Sequence, residues 1–181
     1  ILIALRNYNQ DYFHKKLYYK ILKDIYFLTK DLKKIRLIFK IHPQDISEDQ
    51  LRKDISFFDK KTYRITNDHM MSLSTHADLC ISILTSASFD AVISNTPTIE
   101  YYDVKSEISL SPKAKEFLHL TYQKKNTKWL TVFSQKKILK NIDNYEKLLY
   151  EIKKIMLRDK KKLNDYKLHN KRLVRLSNQG K

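Results

Sequence analysis

Two apolar runs in this sequence end in residues that can hold a phosphate: Lys40-Ile41-His42-Pro43, and Leu84-Thr85-Ser86-Ala87-Ser88. A strand that runs into Thr85, Ser86 and Ser88 and then turns into a helix presents hydroxyls and free backbone N–H groups at the positive end of a helix dipole. Such an end binds phosphate. The structural alternative is that Ser86 or Ser88 is simply a helix N-cap. His42 stands where the second strand leaves the sheet, and its imidazole can donate to a phosphate oxygen or, when protonated, offset part of its charge. A turn residue ahead of Pro43 is its alternative reading. Lys40 lies two residues earlier on the same side of the strand, and Arg6 follows the first strand at the same sheet edge, where it can otherwise be a solvated boundary residue. Asp90 falls early in the helix after the serine loop; its carboxylate can accept from both hydroxyls of a ribose, or merely oppose the helix dipole. Asn67, Asp68 and His69 follow a short strand at Tyr63 and can edge a nucleobase.

Other chemistries lack their residues. The only glycine is Gly180, so neither a Walker loop nor a G-x-G-x-x-G turn can be built. One cysteine and no H-E-x-x-H leave no usual zinc pattern, and no metal is expected. Cys80 sits inside an apolar run and reads as a small buried hydrophobe in a reducing compartment. No permanently bound cofactor is expected.

The positions of these residues depend on an alternation of short apolar runs with helical patterns, which is the signature of parallel βαβ units. Ile1 to Leu5 reads as a strand, Asp11 to Lys33 as a helix with Leu17, Ile21, Ile25, Leu28 and Leu32 on one face, and Ile35 to Ile41 as the second strand. Pro43 ends that strand. Ser47 and Gln50 have capping-box spacing. A strand at Tyr63 to Ile65, a helix capped by Asn67 or Asp68, a strand at Asp78 to Leu84, a helix capped by Ser86 or Ser88, and a strand from Pro97 to Tyr101 follow. Beyond Asp103 the pattern loosens, with a short helix from Pro112 to Leu118 and a strand or anchoring segment from Trp129 to Phe133. Helical periodicity returns from Gln135 to Leu176. The expected fold is α/β, a Rossmann-like parallel sheet with helices on both faces plus a C-terminal helical segment. Residues 1–133 form the nucleotide-sugar-binding domain in this reading, and 134–181 form basic helices packing on it or extending from it. The chain opens directly on a strand without a Met, so an N-terminal domain is expected to be missing.

The 181 residues carry a net charge of +16, and from Lys136 onward fifteen Lys or Arg face five Asp or Glu. That tail can attract anionic headgroups, a polyanionic substrate or nucleic acid, or be a solvated lysine-rich face. No run approaches the roughly eighteen apolar residues of a membrane span, and the opening strand lacks the basic segment of a signal peptide. A cytoplasmic protein is expected, its amphipathic tail suited to the inner face of the cell membrane.

Lys40-Ile41-His42-Pro43, Ala77-Asp78-Leu79, Ser86-Ala87-Ser88-Phe89-Asp90-Ala91 and Pro97-Thr98-Ile99-Glu100-Tyr101 together resemble the C-terminal, donor-binding domain of GT-B glycosyltransferases of bacterial surface polysaccharide synthesis. The nearest in pattern are the HP-motif sialyl- and Kdo-transferases of capsule biosynthesis and the CDP-glycerol glycerophosphotransferases. The resemblance covers about Ile35 to Asp103 well, the segment before it only in pattern, and the tail hardly at all. It implies that His42, the catalytic candidate, holds the donor phosphate with Ser86 and Ser88, and that Asp90 stands where many such enzymes place a Glu for the ribose. Arg6, Lys40, Asn67 and Thr85 complete the expected donor site. The donor would be a CMP- or CDP-activated sugar or glycerol phosphate, and the acceptor a polysaccharide or lipid-linked chain, with nucleic acid not expected as a partner. The general base and acceptor site would belong to the missing domain, so this chain alone is expected to be inactive. Asn95 departs from the family pattern, which has a Gly there. Two other functions are compatible with these residues: a nucleotide-sugar 2-epimerase of GT-B architecture, and a non-enzymatic module whose basic tail docks on nucleic acid or membrane.

Overall fold

A computed structural model describes residues 1–8, 13–32, 35–41, 46–117, 121–123 and 128–156. His42 and Pro43, and the tail 157–181, lie outside the described residues. Six parallel strands form one sheet in the order β3-β2-β1-β4-β5-β8: β1 (Leu2–Leu5), β2 (Leu37–Lys40), β3 (Tyr63–Thr66), β4 (Cys80–Ile83), β5 (Thr98–Tyr101) and β8 (Lys140–Ile142). The order runs outward from β1 to β3 on one side and from β4 to β8 on the other. The chain therefore reverses its direction of travel between β1 and β4, and the fold is Rossmann-like with a topological switch point there. The switch opens a crevice beyond the carboxyl ends of those two strands.

The central strands β1 and β4 are apolar apart from Ser82 because both faces of the sheet are covered. β1 and β4 are buried at every position. Ile3, Leu5, Ile81, Ile83 and Ile99 face the larger core, beneath α1 (Lys15–Asp31), α2 (Glu48–Asp54) and α8 (Tyr145–Met156). Leu2, Ala4 and Cys80 face the other way, against Met70 of α3 (Met70–Thr75) and Ala91 of α4 (Ser88–Ile93). Buried phenols fasten the first layer. The hydroxyls of Tyr18 and Tyr19 on α1 donate to Asp54 at the end of α2, over 2.8 and 2.7 Å, and Tyr101 on β5 donates to Asp24 on α1 over 2.6 Å.

Helix ends follow local chemistry only in part. Ser47 caps α2 as expected by accepting from the Gln50 N–H, but the Gln50 side chain turns to Asp54 rather than back to the cap. The cap of α3 is His69, not Asn67 or Asp68, and that of α4 is Ala87, not Ser86 or Ser88; neither makes a side-chain capping bond. The helix expected from Asp11 to Lys33 begins at Lys15, where the His14 ring accepts from the Lys16 N–H.

The largest departure lies after β5. α5 (Val104–Leu110) was not legible in the sequence; α6 (Ala114–Phe117) matches the short expected helix. A hairpin, β6 (Thr121–Gln123) with β7 (Lys128–Leu130), leads into α7 (Val132–Gln135). The continuous helix expected from Gln135 is instead broken by β8, which pairs in parallel with β5 from Ile99↔Lys140 to Tyr101↔Ile142. An edge strand of three residues starting on an exposed lysine leaves too little alternation to override a helical pattern. Leu148, Ile152 and Ile155 of α8 then enter the same core as the central strands, and the boundary drawn at residue 133 falls inside α7.

With no glycine available, ordinary residues take the left-handed turns: Leu84 (φ 52°), Asn95 (φ 66°) and Lys137 (φ 55°). Asn is the non-glycine residue that tolerates this region best. Asn95 thus makes the turn after α4 without a glycine.

Candidate functional site

An open cleft of about 510 Å³ lies at the carboxyl ends of the first four strands. Its floor is Ala4 and Leu5 at the end of β1, and its walls are Lys40 and Ile41 after β2, Asn67, Asp68 and His69 after β3, and Thr85, Ser86, Phe89 and Asp90 after β4. Open parallel sheets bind their ligands in this crevice because four chain ends leave it there and their loops diverge.

The β4 wall is held rigidly. Leu84, a bulky residue at positive φ, turns the chain sharply out of the strand, and the Arg6 guanidinium reaches across from β1 to donate to the Leu84 carbonyl over 3.4 Å. Strained backbone of this kind clusters at ligand-binding turns, where surrounding contacts must hold it in place. The Thr85 carbonyl accepts from the hydroxyls of Ser82 (3.3 Å) and Ser88 (2.9 Å), while Thr85 Oγ1 accepts from the Ala87 N–H. Ser86 is left exposed at the apex, facing the cleft, with Asp90 one turn further along α4.

On the opposite wall the Lys40 ammonium donates to the Ile41 carbonyl. Burial lowers its pKa, and the nearby Asp68 carboxylate pulls it partly back up. A partly desolvated ammonium gains more from an arriving anion than a fully hydrated one does. Asp68 is shared with Arg64 at 3.6 Å, both well exposed, and its N–H donates to Thr66 Oγ1.

The structure thus brings together Lys40, Asn67, Thr85, Ser86 and Asp90 in one cleft. Two expected members are not among the residues that line it. Ser88 is fully buried and its hydroxyl is turned to the Thr85 carbonyl, so it shapes the loop instead of facing a ligand. Arg6 stands at the expected edge but extends to the β4 exit. His42, the catalytic candidate, lies outside the described residues, directly after the Ile41 that lines the wall.

One residue was missed. Glu100 on β5 is 1% exposed. It pairs in register with Ser82 of β4 and Asn141 of β8. Burial pushes its carboxyl up to about 7, against the pull of Thr131, whose hydroxyl donates to Glu100 Oε2 over 2.6 Å, and of Asn141. Thr131 also caps α7, and Phe133 of α7 packs edge-on to the cleft residue Phe89 at 4.9 Å. Glu100 therefore anchors the element behind the α4 wall. The available signal was a carboxylate inside a fully buried strand, a residue type that is almost never fully buried unless paired.

No protein-family model and no curated protein matches the sequence. Among solved structures, the crystal structure of the glycotransferase of kitacinnamycin superposes with a TM-score of 0.51 at 10% identity, over 96% of this chain and 39% of that one. This likeness establishes the Rossmann-like α/β class, and the chain spans about two-fifths of the length of the protein it matches. No described helix is long and apolar enough to cross a membrane.

Proposed function

We propose that this chain is the donor-nucleotide-binding part of a glycosyltransferase of GT-B type, taking a sugar or glycerol phosphate from a CMP- or CDP-activated donor to a surface-polysaccharide or lipid-linked acceptor. The observation that carries the reading is the cleft at the switch point, where the Lys40 ammonium after β2, the Asp68 carboxylate after β3, and the Thr85 and Ser86 hydroxyls with the Asp90 carboxylate after β4 converge from three strand ends. Fold likeness to a glycosyltransferase is compatible with it but does not identify a donor.

In this reading Lys40, Thr85 and Ser86 receive the donor phosphates, joined by His42 on the strength of the His-Pro motif. Asp90 accepts from the ribose hydroxyls, and Asn67 edges the base. Transfer forms a bond from the acceptor hydroxyl oxygen to the donor carbon or phosphorus and breaks the bond to the nucleotide. The acceptor proton passes to a general base, and the departing nucleotide phosphate carries the negative charge. Residues of this chain stabilise that charge; the base belongs to the facing domain of a GT-B enzyme. Residues 1–181 alone are expected to bind nucleotide without turnover.

Calorimetric titration of CMP, CDP, UMP and UDP tests this. Cytidine-selective binding, weakened about tenfold or more in Ser86→Ala and in His42→Ala but little changed in Ser88→Ala, is the expected result. Uridine preference would move the assignment to a 2-epimerase or a UDP-sugar transferase. Absence of binding for all four would refute a preformed donor site.

A further inference from the structure

The side of the molecule covered by α1, α2 and α8 carries a surface that the cleft does not use. Lys15, Lys16, Lys20, Lys23 and Lys30 are all exposed on α1. An aromatic ridge crosses α1 from the segment after α2 to α8. Phe57 (40% exposed) meets Tyr26 at 5.4 Å, Tyr26 meets Phe27 (50% exposed) at 5.7 Å, and Phe27 meets Tyr145 of α8 at 6.2 Å. Beside the ridge an open groove of about 670 Å³ separates α1 from α5, with Lys16, Lys20 and Lys23 along one side and Phe27 and Leu110 in its wall.

Most carboxylates of α1 and α2 already have partners. Asp24 accepts from Tyr101 and lies 3.8 Å from the Lys20 ammonium, Asp31 accepts from Tyr145, Asp54 accepts from Tyr18 and Tyr19, and Glu48 pairs with Arg52, while Asp49 is exposed at the start of α2. What α1 offers outward is mainly ammonium groups and phenyl edges. Solvent-exposed phenyls contiguous with such a groove mark a contact surface on a soluble domain.

We propose that this face docks on an anionic phospholipid membrane surface. Half-exposed phenyl rings between lysines suit the boundary between headgroups and acyl chains, where rings sink and ammonium groups stay with the phosphates. A nucleic-acid duplex would hold those phenyl rings against a charged backbone. The charge of the remaining chain has the same sign. α8 ends on this side at Met156, 43% exposed, and residues 157–181 contain nine Lys or Arg against two Asp. None of the lysines or rings of this face lines the donor cleft, so membrane and nucleotide can be bound at once, and the inference stands or falls independently of the glycosyltransferase reading.

The experiment uses the full chain with Phe27→Cys labelled by an environment-sensitive thiol probe. Labelling is selective because the chain's single native thiol, Cys80, is fully buried and burial pushes it up to about 12. Vesicles of mixed phosphatidylglycerol and phosphatidylcholine should produce co-sedimentation and a blue-shifted probe, and pure phosphatidylcholine neither. Each lysine at an anionic surface is worth on the order of fivefold in partitioning. The triple variant Lys16→Gln, Lys20→Gln, Lys23→Gln should therefore weaken binding by roughly a hundredfold at low salt. The parallel triple Lys160→Gln, Lys161→Gln, Lys162→Gln should weaken binding but leave the blue shift of the bound fraction intact. Co-sedimentation without a blue shift, or insensitivity to the α1 triple, would mean that the tail alone binds and would overturn the proposal. So would failure to bind anionic vesicles, or a shift produced by nucleic acid and not by vesicles.

Discussion

Glu100 shows how a single buried carboxylate couples stability to pH. Its carboxyl is raised to about 7 by burial, so the folded state holds its proton more tightly than the unfolded chain, where an ordinary Glu titrates near 4.3. The protonated form is the one the fold accommodates. Its contribution to stability is therefore fully present at pH 4 and is lost as pH rises toward and through 7, by roughly 3 kcal/mol from the shift alone. Glu100→Gln cannot ionise and keeps an acceptor for the Thr131 hydroxyl. Its melting temperature should match the parent below pH 4.5 and exceed it increasingly up to about pH 8. Parallel curves over that range would place the ionisation elsewhere. At the cleft, Lys40 has the opposite sign: burial lowers its pKa, and an anion in the cleft restores it. Nucleotide affinity should fall on the alkaline side, and Lys40→Gln should remove that dependence while lowering affinity at neutral pH, both readable by titration calorimetry.

At the scale of elements, phenol–carboxylate contacts add to the buried apolar face that seats α1. Asp54 accepts from Tyr18, Tyr19 and the Gln50 amide, so Asp54→Ala leaves a buried phenol without an acceptor and loosens α1 from α2. An unfolding free energy lower by about 2–3 kcal/mol is expected from chemical denaturation. Ser47→Ala, which removes only one cap of the same helix, should cost about 1 kcal/mol. The turn after α4 follows the same logic. Asn95 at φ 66° tolerates a conformation that costs a residue with a plain Cβ about 1–2 kcal/mol, so Asn95→Ala should destabilise by about that amount.

For the whole molecule, β8 and α8 complete the sheet and the core rather than trailing from them. Tyr102 donates its N–H to Ile142, and Leu148, Ile152 and Ile155 are buried with the central strands. Ending the chain at 133 would expose the edge of β5 and leave a cavity over the first core layer. The shortened protein should lack a cooperative thermal transition by circular dichroism. Survival of a cooperative unit at 1–133 would show that the β8–α8 layer is an accessory.

Much of this architecture could be read from the chain because it depends on local signals. Short, largely apolar runs at β1 and β4 identified central parallel strands, spacing of three and four identified α1, and the change from apolar to hydroxyl-bearing residues at Leu84-Thr85-Ser86 located the exit of β4. The cleft residues Lys40, Asn67, Thr85, Ser86 and Asp90 were found that way. Side-chain direction and long-range pairing were beyond local pattern. Ser86 and Ser88 are two residues apart in a turn, and only packing against Ser82 and Thr85 decides that one faces the cleft and the other the loop backbone. β8 carries three residues of weak preference, and the exposed edge of β5 makes them a strand by offering hydrogen bonds that no local propensity encodes. Glu100 acquires its raised pKa only when tertiary packing buries it, against the pull of the Thr131 hydroxyl thirty-one residues away in the chain. Sequence by itself determined the class of fold and the sheet edge where the cleft lies, since both follow from periodicity and residue type. Tertiary structure alone decided which groups reach the cleft, which brace it and which titrate, since those depend on distances between elements far apart in the chain.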